Sequence, residues 1–198
     1  MGFKDLKRDY IVDSAKKLFL GRSISEITIK DISSVSGIGE ATIYRYFSTK
    51  ENLALAVSLS IQKELLKSPV TNSKKNGIEQ IRDFFNIFRQ IFVSNPSYFK
   101  FIAEFDTLYL KSIKGNDYSL NLDTFFDLFM KSYELGLKDK SVKKNPDIKL
   151  FYYTTTHSLL ELCKKLASMD SPLKQDKKIN KVGEIECLID IFVSVLKA

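Results

Sequence analysis

The sequence predicts an all-α fold, and three observations predict it. Apolar residues recur at intervals of three and four along most of the 198 positions. No alternating apolar and polar run of strand length competes with them. The periodic segments are also punctuated by residues that start and stop helices: Gly21, Thr28, Gly37, Ser48, and the pairs Asn95-Pro96 and Asn145-Pro146. A chain this long has room for one or two compact units, burying roughly 70% of its unfolded surface.

The first helix is expected from about Asp5 to Leu20, because Ile11, Ala15, Leu18 and Phe19 form one apolar stripe and Gly21 can end it. Thr28 caps the second, with Asp31 three residues on. Ile29, Ile32 and Val35 would face inward until Gly37 breaks the pattern and Ile38 anchors the turn. A short third helix covers about Glu40 to Phe47. Ser48, followed by Glu51 at capping-box spacing, opens a fourth that runs to about Leu66 and closes at Ser68-Pro69. Longer helices follow at Gly77 to Ser94, Pro96 to about Ser112, Leu120 to Lys138, Pro146 to Ser168 and Gly183 to Lys197. The asparagine-proline pairs suit a cap followed by proline in the first turn. Residues 112–119 and 171–181 read as loops, with Leu173 a possible anchor for a short turn. There is no internal repeat.

Composition narrows the function classes. Cys163 and Cys187 stand far apart, and His157 is the single histidine, so no Cys/His metal cluster can be assembled and no metal or cofactor is expected. Both cysteines read as buried small hydrophobes in a reducing compartment. The N-terminus is too interrupted by charge for a secretory signal, and no run approaches a membrane span, so a cytoplasmic protein with no membrane partner is expected. Catalytic inventory is poor: there is no G-x-S-x-G elbow and no phosphate-gripping glycine loop, and Glu104 and Asp106 cannot face each other on a helix. An enzyme is not expected. The net charge of +7 suits a polyanionic partner, yet residues 1–60 hold nine Lys/Arg against seven Asp/Glu, leaving +5 for the remainder. Bulk charge therefore does not locate a nucleic-acid site, and local geometry must.

That geometry lies in residues 28–47, a helix, a glycine-containing turn and a second helix, the arrangement that presents a helix to the DNA major groove. In "TIYRYF", Ile43 and Phe47 are four apart and can face inward together, which drives Thr42, Tyr44, Arg45 and Tyr46 toward the remaining surface. The plainer alternative is a small three-helix core whose tyrosines cover apolar surface with a ring and offer water a hydroxyl.

The stretch 9–57, through "IVDSAKKLF", "TIKDISSVSGIGEATIYRYFSTKENL" and "ALAV", resembles the TetR family of transcriptional regulators. The resemblance implies that Thr28 meets a phosphate, that Thr42, Tyr44 and Tyr46 line the DNA face, and that Lys50 touches the backbone. Physics agrees in that a helix N-terminus and an ammonium both favour an anion. Glu40, Ala41, Tyr44 and Arg45 are the candidates for reading bases: Ala41 against a thymine methyl, Glu40 accepting from cytosine, Arg45 on guanine or alternatively on a phosphate. Two departures from the family stand out. Gly39 replaces the serine that often opens the recognition helix, and Glu40 stands where a basic or neutral residue is common.

The resemblance further implies a helix-turn-helix DNA-binding domain at residues 1–50 and a ligand-binding and dimerisation domain at 51–198. Its partners would be a double-stranded DNA operator, a small-molecule effector and a second copy of the chain. An effector pocket would be mostly apolar, suiting an apolar or aromatic molecule; Phe88, Tyr98, Phe105, Tyr109, Phe126, Tyr133, Tyr153 and His157 are the nominees, with Glu104 a weaker one. Rings at helical spacing also pack helices with no ligand at all, Glu104 could face solvent, and His157 could be a satisfied core group. Leu159, Leu162, Cys163 and Leu166 form one stripe, and Ile185, Leu188, Ile189, Phe192 and Leu196 another. They could join two subunits in a four-helix interface or pack within one. The expected mechanism is repression of a partly palindromic operator relieved by ligand, with activation as the alternative and a helical protein-interaction module as the remote one.

Overall fold

The computed structural model describes residues 3–65, 74–109, 122–168 and 180–198. Its elements in chain order are α1 (Phe3–Gly21), a single 3-10 turn η1 (Ile24–Glu26), α2 (Ile29–Ser36), α3 (Glu40–Phe47), α4 (Lys50–Leu65), α5 (Gly77–Ser94), α6 (Ser97–Tyr109), α7 (Leu122–Asp139), α8 (Ile148–Ser168) and α9 (Lys181–Leu196). An isolated antiparallel bridge joins Val142 to Lys197. The all-α expectation holds. The predicted ends at Leu66, Ser68-Pro69, Ser112 and Leu120, and loop residues 112–119 and 171–179 with Leu173, lie outside the described residues.

Two apolar cores organise the chain. The first is built from Ile11, Val12, Ala15 and Phe19 of α1, the isoleucines of η1 and α2, and Ile43 and Phe47 of α3. Leu53, Val57 and Ile61 of α4 join it, as do Phe101, Ile102, Phe105 and Tyr109 of α6. The second gathers α5, α7, α8 and α9 around Phe84, Phe85, Phe129 and Tyr152, with ring centroids 5.3–6.0 Å apart within that group. The domain border expected at residue 50 does not divide these cores. Three short helices offer too little apolar surface to stand alone, and the α6 rings complete the head by stacking Phe101 on Phe19 and Phe105 on Phe101.

Helix α6 also ties the two cores together. Tyr98 packs against both, and its hydroxyl donates to Glu64 Oε2 of α4 at 3.2 Å. Lys16 Nζ of α1 meets the other oxygen of that carboxylate at 2.5 Å. Burial, then the Glu64 charge, pushes the Tyr98 phenol up. On the other side Lys164 Nζ of α8 binds Asp106 at 2.8 Å.

Several helix starts differ from expectation for a local reason. Ser48 does not cap α4: it sits at φ 61 as the stop of α3, donating its N–H to Tyr44 O, and Thr49 accepts the N–H of Asn52 in its place. Before α8 the cap moves to Asp147, whose carboxylate accepts the N–H of Leu150. Asn180 rather than a residue beside Gly183 opens α9. In α2, Val35 is 54% exposed and Ser36 is buried, because Ile29, Ile32 and Ser36 are the residues that fall on one line at i, i+3 and i+7. Cys163 is buried, its thiol pushed up to about 12 by burial, but Cys187 is exposed on the outer side of α9. No helix among the described residues is long and apolar enough to cross a membrane.

Candidate nucleic-acid interface

The helix-turn-helix forms as its spacing requires. Thr28 is a complete N-cap: its Oγ1 accepts the N–H of Asp31, and the Asp31 carboxylate accepts from the N–H and hydroxyl of Thr28 at 2.8 and 2.7 Å. Those two donors hold the Asp31 carboxyl below its ordinary range. At the other end of α2, Gly37 takes the left-handed conformation (φ 67) that a side chain would resist, and its N–H closes on Ser33 O at 2.9 Å. Gly39 then opens α3 with no side-chain cap.

Ile43 and Phe47 point into the head's core, and the opposite flank of α3 is open. Glu40, Ala41, Tyr44 and Arg45 are exposed, Tyr44 to 47%, while Thr42 and Tyr46 are half-buried. Tyr46 packs on the core and lies 6.3 Å from the Phe47 ring, so it divides its surface between the interior and the face. The Arg8 guanidinium covers Phe47 from α1, 5.3 Å from the ring centre. Four side chains of different chemistry are thus held outward on a helix that cannot roll, since its inner ridge is locked. A helix of this size with one free flank matches a major groove about 12 Å wide.

Two of the expected contacts have other partners in the structure. The N–H and hydroxyl of Thr28 are taken by Asp31, so a phosphate at this helix end would meet the first-turn amides of Ile29 and Lys30, which no intrahelical carbonyl reaches. Lys50 Nζ donates to Ile24 O and Ile27 O, both at 2.9 Å, spending two of its three donors on the η1 turn.

The nominated effector residues do not converge. Phe105 and Tyr109 belong to the head's core, Tyr98 to the junction, and Phe88, Phe126, Tyr133 and Tyr153 to the second core. Tyr133 uses its hydroxyl to accept the N–H of Asn145 at 2.8 Å, and Phe126 stacks on Tyr153. His157 is exposed, 5.9 Å from the Tyr153 ring, and belongs to neither core. The rings serve chiefly to pack helices. Grooves of about 330, 360 and 430 Å³ lie instead between α1 and α4, α5 and α9, and α6 and α8, and their linings include charged residues such as Arg8, Arg82 and Lys164.

The stripes expected between subunits also turn inward. Leu159, Cys163, Leu166, Ile185, Ile189 and Leu196 are buried within one chain, because α8 packs on α5 and α6, α9 packs on α5, and the two pack on each other. Leu162, Leu188 and Phe192 are half-buried at the edge, Phe192 against Phe85. What α8 and α9 leave outside is Leu150, Ile191 and Val195, 61%, 52% and 46% exposed.

Sequence reasoning missed the role of Glu104. It faces neither a pocket nor solvent alone: its carboxylate accepts the Ser23 hydroxyl, the Ile24 N–H at 2.9 Å and the Ser25 N–H at 3.3 Å. Nothing local in the sequence signals a contact spanning about eighty positions.

Comparison with known proteins agrees with this geometry. Residues 11–57 match the family model described as bacterial regulatory proteins, tetR family. The HTH-type transcriptional regulator AlkX of Mycobacterium tuberculosis is 30% identical over 92 residues, 46% of this chain and 44% of that protein. The chain spans less than half the length of the curated relatives it matches. Among solved structures, the fatty acid degradation regulator FadR from Bacillus halodurans superposes with a TM-score of 0.66 at 16% identity, over 98% of this chain and 96% of that one. The TetR family transcriptional regulator PfmR from Thermus thermophilus gives 0.65 at 17% identity, over 93% and 97%. At such identities the likeness carries the fold.

Proposed function

Because residues 11–57 match the family model of bacterial regulatory proteins, tetR family, we propose that the chain is a ligand-responsive transcriptional repressor of that family that binds a partly palindromic operator as a homodimer in the cytoplasm. One observation carries the DNA reading: α3 is pinned by Ile43 and Phe47 while Tyr44 and Arg45 stand free on its far side. In this reading Glu40, Ala41, Tyr44 and Arg45 meet base edges, and Thr42 and Tyr46 flank them. The amides at the start of α2 hold a phosphate, with Lys50 buttressing that end through η1 and offering its remaining donor. The outward apolar residues Ile191 and Val195 of α9 and Leu150 of α8, with the half-buried Leu162, Leu188 and Phe192, would supply the self-complementary surface of a two-fold dimer. That symmetry would place two reading helices in successive major grooves, about one DNA turn or more apart. A small apolar or aromatic effector, entering among the rings of the second core, would release the operator by favouring a different spacing of the heads.

The test is selection of duplexes from random-sequence DNA by the full chain, followed by titration at several salt concentrations. A sequence preference that Arg45→Ala changes, together with an affinity loss for Lys50→Ala that is similar across sequences, is the expected result. Absence of salt-sensitive duplex binding would refute the reading.

A further inference from the structure

The 3-10 turn between α1 and α2 is gripped at both ends. At its start the Glu104 carboxylate of α6 accepts the Ser23 hydroxyl and the N–H groups of Ile24 and Ser25. The Lys50 ammonium of α4 donates to the carbonyls of Ile24, the first residue of the turn, and Ile27, the residue that closes it. The polarity is matched: the anion takes the amides of Ile24 and Ser25 at the start of the turn, and the cation takes the Ile27 carbonyl and shares that of Ile24 with the Ile27 N–H. Thr28, the cap of α2, follows this turn directly.

Apart from the Tyr98 hydroxyl on Glu64 at the opposite end of the head, the remaining ties between α6 and the first core are mainly apolar, Phe101 on Phe19 and the neighbours of Phe105. Apolar packing is non-directional and tolerates a small roll of one surface over another. Hydrogen bonds from three separate donors to one carboxylate do not, because each weakens steeply off axis. The carboxylate therefore supplies what the rings lack, a fixed register between α6 and the entry to the helix-turn-helix.

Resting on the dimeric DNA-reading function above, we propose that Glu104 is a positioning residue for operator recognition. It sets the stance of the head on α6, and through two-fold symmetry it selects the separation of the half-sites the dimer accepts.

The experiment uses the full chain and duplexes selected by the wild-type protein, re-spaced one base pair at a time between half-sites, with a single half-site as control. Wild type should prefer one spacing. Glu104→Ala should lose discrimination between that spacing and its neighbours by about two- to thirtyfold, with base preference and single half-site affinity unchanged. Glu104→Gln, which keeps one acceptor oxygen, should fall between. Where the alanine variant does not fold, Glu104→Gln and Ser23→Ala carry the same comparison. Spacing discrimination kept by the folded variants, or a loss equal at every spacing and on the single half-site, would overturn the positioning role while leaving the regulator intact. A wild type with no preferred spacing would overturn the dimeric reader and this role with it.

Discussion

The two cores of this chain differ in the balance of what they are made of. The head buries isoleucine above all, at positions 11, 24, 27, 29, 32, 43, 61 and 102, together with fewer rings, Phe19, Phe47, Phe101, Phe105 and Tyr109. The body also buries isoleucine, at positions 78, 81, 87, 91, 185 and 189, but carries more rings, Phe84, Phe85, Phe92, Phe99, Phe129, Tyr133 and Tyr152. Branched aliphatics hold few rotamers and suit a surface that must present the same four side chains each time. Flat rings meet edge-on, tilted or stacked at similar energies, and all three arrangements occur around Phe84, Phe85 and Phe129. The two regions thus differ in the proportion of branched aliphatics to rings rather than in kind.

Removing one ring from each side should give the largest effects and tests whether the cores are separate. Phe105→Ala and Phe84→Ala both delete a fully buried ring and should each cost about 3–5 kcal/mol in denaturant unfolding. If the cores melt independently, amide exchange in α2 and α3 should rise for Phe105→Ala and not for Phe84→Ala. Equal loosening of both regions would show one cooperative unit.

The head's capping box sharpens the same contrast at smaller scale. Thr28→Ala should destabilise by about 1 kcal/mol, read as a lowered melting temperature with little change in the body's exchange. The pH dependence has a definite sign. Donors present only in the folded head hold the Asp31 carboxyl below its ordinary value of 3.8, so the unfolded chain binds the proton more readily. The stabilisation is complete above that value and disappears as pH falls through the lower folded pKa. The gap in melting temperature between wild type and Asp31→Asn should accordingly close in acid; a gap unchanged with pH would contradict the box.

Gly39→Ser offers the smallest effect and the opposite direction. The α3 cap lacks a side-chain acceptor, a Cβ there meets nothing within 4 Å, and its φ of −57 suits any residue. A gain of a few tenths of a kcal/mol is expected in the unfolding midpoint.

What the sequence made legible follows the same division. Thr28, Gly37, Ile43 and Phe47 act within a few residues of one another, so their roles were readable from spacing, and the open flank of α3 followed by subtraction. Period alone could place rings such as Phe105 and Phe126 on helix faces but not say which neighbour each face meets, so nominees for one pocket proved to belong to two cores. Leu159 and Ile189, expected between subunits, are covered within one chain for the same reason: an apolar stripe records the need for cover without naming what supplies it. Glu104 was least visible of all, since its partners are backbone amides, which every sequence has.

That α6 completes the head has a consequence for modular exchange. A graft that swaps residues 1–50 for those of another regulator would leave Phe101, Phe105 and Tyr109 facing a foreign surface, while Glu104 met a turn of different shape. The transplantable unit is discontinuous, the first four helices together with α6, and shuffling at the apparent border would inherit a reading helix without its foundation.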